Sequence, residues 1–165
     1  MSDFPPKMIV CVGSVVLHES RVLFVRQTYG DNLKGKWSIP WGYVQGETPE
    51  TYADPSHVAA IREVREEAGV TVKIQGLLGI QHADLTKEGI PRLYILYLCD
   101  YLYGEPTPDH YETDQAIFFS EHEMDAQKAM MDPFCYWMAK RVLTGDHTLI
   151  PANAENPYSP HLAFL

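Results

Sequence analysis

The chain has 165 residues, 45% of them hydrophobic and 21% charged, which is ordinary usage for a globular protein large enough to bury a core. Its formal net charge of −9 argues against a nucleic-acid-binding surface, because such a surface would be basic. The three cysteines, Cys11, Cys99 and Cys135, are widely spaced and odd in number. They fit neither a disulfide framework nor a zinc motif, and buried thiols in a reducing cytosol are the expected setting.

The first residues of the sequence give an expectation about location, and the last residues give one about association. Residues 1–7 lack the basic segment and apolar core of a leader peptide, and the longest apolar stretch, residues 8–17, is far too short to span a membrane. We therefore expect a cytoplasmic protein without membrane contact. The last residues, 151–165, carry three prolines and no periodicity. An irregular tail is expected there, lying on the surface or on a second subunit, so a homodimer is one arrangement we consider.

The first half of the chain predicts strands that lead into one helix. Residues 8–17 and 21–26 are β-branched runs joined by a short polar segment, which favours a hairpin, and residues 37–40 predict a further short strand. Asp54 and Pro55 have the pattern of a helix N-cap followed by proline at the first helical position. The helix is expected over about 55–68.

The second half predicts two long strands and two helices. The strands are expected at 71–84 and 92–103, with a turn signal between them and a shorter strand at 116–119. Helical patterns cover about 122–131 and 134–143, and Asp132 with Pro133 forms a second capping signal. We expect a single domain over 1–165, with a core over about 8–143 and an irregular tail over 144–165.

The most informative segment places three carboxylates on the first helix. Glu63, Glu66 and Glu67 are three and four residues apart, so they share a face and are able to converge. The like-charge pair Glu63 and Glu67 costs a few tenths of a kcal/mol on a bare helix. A hard divalent cation would reverse that cost. The alternative is a solvated helix face on which Arg62 and Glu66 form a weak ion pair.

The order of residues in this segment carries a family resemblance. Residues 62–70, Arg-Glu-Val-Arg-Glu-Glu-Ala-Gly-Val, resemble the second half of the Nudix box. Residues 37–48, which include Gly42 and Glu47, are similar to its first half, but the spacing is altered. Four residues separate Gly42 from Glu47 where the pattern has five, and fourteen separate Glu47 from Arg62 where it has seven. Glu50 and Asp54 are therefore alternatives to Glu47.

The resemblance implies a fold and an activity. The fold would be α/β, a Nudix-like α/β/α sandwich with a mixed β-sheet. The activity would be Mg²⁺-dependent hydrolysis, with Mn²⁺ as the substitute ion, of a pyrophosphate bond in a small nucleotide. Its substrate would be a nucleoside diphosphate linked to another moiety: a nucleotide sugar, ADP-ribose or a nucleoside triphosphate. A nucleotide-binding sensor without turnover is the alternative. Isomerisation of a prenyl diphosphate would need a cysteine beside the box, where there is none.

The resemblance also suggests roles for individual residues. Expected metal ligands are four glutamates, Glu63, Glu66, Glu67 and Glu47. Expected catalytic residues are Glu66, Arg62 and Glu112; Arg62 would hold a glutamate in position, and Glu112 would act as base, with Asp114 as the fallback. Expected substrate-binding residues are Arg26 for phosphate, Trp41 and Tyr43 for stacking on a base, and Gly42 between them.

Overall fold

The computed structural model describes residues 8–44, 54–83 and 89–165, and the structural statements below refer to these ranges. Nine strands in the described residues form one sheet, in the order β3-β2-β1-β6-β5-β8-β9, with β4 paired to β1 and β7 paired to β2. The strands are β1 Ile9–His18, β2 Arg21–Gln27, β3 Trp37–Ser38, β4 Trp41–Tyr43, β5 Thr71–Ala83, β6 Arg92–Tyr103, β7 Thr113–Ser120, β8 Ile150–Asn153 and β9 Ala163–Phe164. The helices are α1 Ser56–Ala68, α2 Glu121–Gln127 and α3 Pro133–Leu143.

The sheet is mixed, as the sequence predicts. β1 runs parallel to β6 at its centre, whereas β1 pairs antiparallel with both β2 and β4, and β5 pairs antiparallel with β6. β1 therefore borders three strands, and its middle six residues are all buried. A strand buried on both faces reads as a continuous apolar run rather than an alternating one, which is what residues 8–17 show.

Helices cover both faces of this sheet. α1 packs through Ala60, Val64 and neighbouring small residues on the face that carries Val12 of β1. α2 and α3 pack on the opposite face, which carries Val15 of β1. Because successive side chains of a strand point to opposite faces, β1 contributes to both cores, and each fully buried aliphatic side chain contributes about 1.5–3 kcal/mol. Within the described ranges, no helix has the length and apolar character needed to cross a membrane.

The ends of α1 differ in part from the prediction. The helix begins at Ser56, and Pro55 occupies the N-cap position without a side-chain capping bond. The cap expected from Asp54 is wrong: its carboxylate instead accepts a hydrogen bond from Nε of Arg62, at 3.1 Å. The helix ends as predicted at Gly69, whose φ of 69° is the left-handed conformation that glycine adopts without strain.

The remaining predicted elements are largely present. The hairpin of β1 and β2, the two long strands β5 and β6, and α3 with Asp132 as its capping residue are confirmed. The helix expected over 122–131 is shorter, because α2 ends at Gln127 and a 3₁₀ turn, Lys128–Met130, follows it. The loop predicted between Glu47 and α1, with Glu47 and Glu50, lies outside the described residues.

The expectation of an irregular tail is wrong in part. β8 extends the sheet beyond β5, with Pro151 opposite Gly76, and β9 pairs with β8. Gly76 allows this pairing because a Cβ atom there would overlap the main-chain oxygen of Ile150. Phe164 then packs on the core beside α1, with its ring 5.3 Å from that of Tyr97. Sequence periodicity misses strands this short, since they contain only four and two residues.

Candidate active site

Glu67 is the most deeply buried carboxylate described, with 1% of its surface exposed. Its Oε2 atom accepts a hydrogen bond from the main-chain N–H of Trp41 at 3.1 Å, while Oε1 is buried without a hydrogen-bond partner among the described residues. Burial raises the pKa of Glu67 well above its ordinary value; the bond from Trp41 and the nearby side-chain amide of Gln27 oppose the rise, and the charges of Glu63 and Glu112 add to it. A buried anion with an unused acceptor is costly unless a cation compensates it.

Glu63 lies beside Glu67 under strand β4, with 8% of its surface exposed. A Cβ atom at Gly42 would overlap the Glu63 carboxylate, so the absence of a side chain at Gly42 makes room for this acid. Burial raises the pKa of Glu63 to about 7, and the guanidinium of Arg62 opposes that rise. The predicted role of Gly42 in substrate binding stays a prediction; its close contact in the structure is with Glu63.

Arg62 organises the exposed side of the site. Its Nη1 donates to Glu63 at 2.8 Å and to Glu66 at 3.0 Å, its Nε donates to Asp54, and its Nη2 donates to the main-chain oxygen of Tyr43 at 3.2 Å. One guanidinium thus connects both ends of α1 to β4. The family resemblance suggests that Arg62 holds a glutamate in position, and that role stays a prediction.

The three helix glutamates do not meet at one point. Glu66 has 56% of its side chain exposed and turns toward Arg62, whereas the Glu67 carboxylate turns toward the N–H of Trp41. Across residues 8–44, 54–83 and 89–165, no three His, Cys, Asp or Glu side chains are grouped closely enough to hold a metal ion. Glu47, the fourth proposed ligand, lies outside those ranges. The local ion pairs explain why a shared helix face does not by itself produce convergence.

Glu112 is brought to this site by the segment before β7. The hydroxyl of the adjacent Thr113 is buried and donates to the main-chain oxygen of Glu67 at 2.7 Å. The main-chain N–H of Thr28 donates to the Glu112 carbonyl at 2.9 Å, which ties the segment to the end of β2. The negative charge of Glu112 contributes to the raised pKa values of Glu63 and Glu67. The role of Glu112 as a base stays a prediction, and the tie through Thr113 has no signal in the sequence.

Tyr29 is a site residue that sequence reasoning missed. It follows Thr28 in the loop after β2 and has 44% of its surface exposed. Burial raises the pKa of its phenol, and the nearby charges of Glu112, Glu67 and Glu63 raise it further. A phenol near these carboxylates would offer a hydrogen-bond donor. A lone Tyr-Gly after a strand gives no sequence signal for this role.

Arg26 and Asp114 are engaged with each other. Nε and Nη2 of Arg26 donate to the two carboxylate oxygens of Asp114 at 2.7 and 2.8 Å, and the guanidinium lies 5.9 Å from the ring centre of Trp37. This bidentate ion pair engages both Arg26, the predicted phosphate-binding residue, and Asp114, the alternative candidate for the base. Phosphate binding by Arg26 would require the pair to open.

A cavity of about 400 Å³ lies on the other face of β4. Trp41 connects the two sides, because its main-chain N–H binds Glu67 while its side chain lines the cavity. Its ring lies 6.1 Å from that of Tyr94, which also lines the cavity, and 5.8 Å from that of the half-exposed Tyr43. The two predicted stacking residues, Trp41 and Tyr43, are thus neighbours, but only Trp41 lines the cavity; Asp132 and Phe134 line it from the start of α3, which the sequence did not suggest.

The arrangement of donors suits a hard divalent cation. Glu63 and Glu67 are buried neighbours with raised pKa values, and one oxygen of Glu67 has no described partner. A bound cation would stabilise both carboxylates in their ionised form and supply the missing partner. Glu63 and Glu67 would therefore be two of the residues that hold such an ion, and it would need further donors, because no third acid is grouped with them among the described residues.

Comparison with known proteins identifies the family. A family model described as "NUDIX domain" matches residues 7–138. The chain belongs to the Nudix family. Among curated relatives, an ADP-ribose pyrophosphatase from Methanocaldococcus jannaschii is 27% identical over 97 residues, covering 58% of this Nudix chain and 53% of that protein. A MutT-like protein from Streptomyces ambofaciens is 38% identical over 78 residues, covering 46% and 44%. The chain thus spans about half the length of these relatives.

Solved structures share the Nudix fold. A Nudix hydrolase from Nitrosomonas europaea superposes with a TM-score of 0.67 at 23% identity, covering 87% of this chain and 94% of that one. The Nudix domain of NrtR from Shewanella oneidensis, complexed with ADP ribose, gives a TM-score of 0.64 at 13% identity, covering 87% and 94%. At these identities the likeness shows the fold alone, and it confirms the predicted architecture.

Proposed function

We propose that this protein is a divalent-metal-dependent hydrolase that cleaves a pyrophosphate bond in a nucleoside diphosphate linked to another moiety. The observation that carries the proposal is Glu67, a buried carboxylate with an unpartnered oxygen in the described structure, beside the buried Glu63. A protein retains such a pair at a cost to stability, and family membership supplies the reason to retain it.

The proposed ligands are Glu63, Glu66, Glu67 and Glu47, for Mg²⁺ or, as a substitute, Mn²⁺. When bound, the metal would neutralise phosphate charge and lower the pKa of a coordinated water. Arg62 positions two of these acids, since it donates to Glu63 and Glu66 together. Glu66 is exposed enough to rotate from this ion pair toward an arriving substrate.

Glu112 is the proposed general base. Its main chain is fixed by Thr28, and its neighbour Thr113 is hydrogen-bonded to Glu67. In this role Glu112 takes the proton of the attacking water, which forms the new bond to phosphorus as the bridging oxygen departs. The neutral phenol of Tyr29 donates a hydrogen bond toward the phosphate oxygens and adds no further negative charge there.

The cavity on the other face of β4 is the proposed seat of the nucleoside. Trp41 and Tyr94 supply aromatic surface for a nucleobase. Only strand β4 lies between the cavity and the carboxylates. ADP-ribose is the first candidate substrate, because one relative is named for hydrolysing it and a structural neighbour is complexed with it. Nucleotide sugars and nucleoside triphosphates complete the set.

A second candidate is a nucleotide-binding domain without turnover. The engagement of Glu66 by Arg62 favours it, because that ion pair withholds a proposed metal ligand. The two candidates differ in whether bound nucleotide is consumed.

One panel distinguishes the two candidates. Purified protein is incubated with ADP-ribose, ADP-glucose, dinucleoside polyphosphates and nucleoside triphosphates, each with Mg²⁺ or with EDTA. Phosphatase is then added, and inorganic phosphate reports newly exposed monoesters. We expect Mg²⁺-dependent turnover of one substrate class. Tight binding of ADP-ribose by calorimetry, without phosphate release in Mg²⁺ or Mn²⁺, would replace the hydrolase with the binding domain.

A further inference from the structure

The segment that carries Glu112 is a tight turn closed by one side chain. Oδ1 of Asp109 accepts the main-chain N–H groups of Tyr111, Glu112 and Thr113, each at 2.9 Å. Burial opposes the ionisation of Asp109, but these three donors outweigh it, so the pKa of Asp109 lies below its ordinary value. The turn is therefore organised around a single oxygen of an ionised carboxylate.

The backbone inside this turn is held in an uncommon conformation. His110 has a φ of 62°, in the left-handed region that a residue with a side chain rarely adopts. Such a conformation persists only where the surrounding bonds fix it, and it is found most often at functional sites. The bond from the N–H of Tyr111 to Asp109 spans His110 directly. The shape of residues 109–113 is thus imposed by the Asp109 carboxylate.

The same turn is tied to β2 and to α1. The hydroxyl of Thr28 donates to the main-chain oxygen of Tyr111 at 2.6 Å, and its N–H donates to that of Glu112 at 2.9 Å. On the other side, the hydroxyl of Thr113 donates to the main-chain oxygen of Glu67 at 2.7 Å. The place of Glu112 relative to Glu67 therefore depends on the shape of the turn that lies between these two ties.

From this geometry we propose that Asp109 is a positioning residue, which holds the main chain of Glu112 so that this acid stays beside Glu63 and Glu67. The inference rests on the proposed function, because it takes Glu112 as the general base. Asp109 acts through the main chain of Glu112 and takes no proton itself. Its loss should therefore slow the chemical step without weakening the binding of substrate.

Kinetics of three single variants measure this effect on the substrate that the panel reveals. Asp109→Ala removes the acceptor of all three N–H groups, and we expect kcat to fall about 10-fold to 30-fold with KM within about twofold. Asp109→Asn keeps an oxygen acceptor and should retain kcat within about threefold. Asn153→Ala is the matched control, because it removes a similar bond, from the N–H of Glu155 at 2.8 Å, in the turn after β8. It should change neither quantity.

A double variant separates positioning from a general structural role. Asp109→Ala combined with Glu112→Gln should have a kcat within about twofold of Glu112→Gln alone, because no base remains to be misplaced. If Asp109 only stabilised the fold, the two losses would multiply instead.

Hydrogen exchange followed by NMR on the metal-free protein, without substrate, measures the same tie independently of activity. The N–H of Thr28 bonds the carbonyl of Glu112 and not Asp109, so its exchange rate reports whether Glu112 leaves the end of β2. We expect this rate to rise about tenfold in Asp109→Ala and to be restored in Asp109→Asn. The N–H of Gln27, bonded to the carbonyl of Lys36 at 3.0 Å, is the internal control and should stay within about twofold.

Three results would overturn the inference. Unchanged exchange at Thr28 in Asp109→Ala would do so whether or not the protein is active. The other two are a kcat within twofold of the unaltered protein and a loss that multiplies with that of Glu112→Gln. Absence of turnover by the unaltered protein, together with faster exchange at Thr28 in Asp109→Ala, would count against the proposed function and would support the hold of Asp109 on Glu112.

Discussion

The two faces of strand β4, which has only three residues, differ in charge and in the segments that build them. Gly42 faces α1, where its missing side chain accommodates the buried Glu63, whereas the ring of Trp41 faces the cavity. One side is charged and comes largely from a single helix; the other is aromatic and drawn from several distant segments. In the proposed function, one strand separates the metal-binding carboxylates from the nucleoside cavity, so substitutions should affect turnover and nucleotide binding separately.

The largest expected effect is on the charged face. Glu67→Gln should lower kcat/KM about 100-fold or more, because it removes the buried carboxylate that we propose as a metal ligand. The fold should be retained, since the amide is neutral and avoids the burial of charge. Steady-state kinetics with Mg²⁺ and a thermal unfolding curve measure both, with the exposed Glu121→Gln as control. Activity within threefold of the unaltered protein would refute the metal-site assignment.

Gly42→Ala examines how closely the two faces are coupled. The added methyl group would overlap the Glu63 carboxylate, so that acid must move, and a displacement near 1 Å costs up to about 100-fold in rate. We expect kcat to fall by about 10-fold to 100-fold while AMP binding stays within threefold. Gly79→Ala is the matched control, because no atom lies within 4 Å of its added carbon. A loss of AMP binding as large as the loss of rate would show that the faces are not separable.

A pH experiment examines the charged face without substrate. The pKa of Glu63 is about 7 in the folded protein against 4.5 ordinarily, so between these values the folded state holds a proton that the unfolded chain has released. The metal-free protein should therefore lose stability as pH rises from about 4.5 to about 7. Chemical unfolding in EDTA should show this fall, and Glu63→Gln should show less of it. Mg²⁺ should stabilise the protein more at pH 8 than at pH 6, because it binds ionised carboxylates.

The smallest effect is expected from the tail, because none of its residues lines the cavity or is a proposed site residue. Phe164→Ala removes a half-buried ring beside Tyr97 and should lower the free energy of unfolding by about 1 kcal/mol. The hydrogen bond between the hydroxyls of Tyr97 and Ser56 remains in this variant and still holds the start of α1. We therefore expect kcat to change by less than twofold. Urea unfolding and kinetics measure the two quantities, with the exposed Tyr158→Ala as control. A tenfold loss of rate would show that the tail helps to position α1.

The charged face could be predicted from the sequence because its parts are local. Glu63, Glu66 and Glu67 share one helix whose end is marked by Gly69, and spacing alone places them near one another. What spacing cannot give is the direction of each carboxylate, since that depends on Arg62 and on an N–H from β4. The side chains of Glu66 and Glu67 point apart because Arg62 holds the first and the main-chain N–H of Trp41 holds the second.

The aromatic face could be predicted only as a set of candidate residues. Trp41 and Tyr94 read as aromatic strand residues, but the cavity exists because Gly13 is bare and because Asp132 and Phe134 arrive from α3. Such contacts join positions about 40 to 120 residues apart, which no local pattern encodes. Tyr29 and Thr113 were missed for the same reason. The strand order, by contrast, follows the family, as the shared architecture confirms.

The strand pairing at Gly76 has a consequence for solubility. Without β8, the 13-residue β5 would be the outer strand of the sheet, and a long unpaired edge is a template for association with another chain. β8 covers part of that edge with four residues, one of them Pro151, which has no N–H to offer a further strand. The tail beyond the family match thus protects the sheet against edge-to-edge aggregation, independently of anything that occurs at the carboxylates.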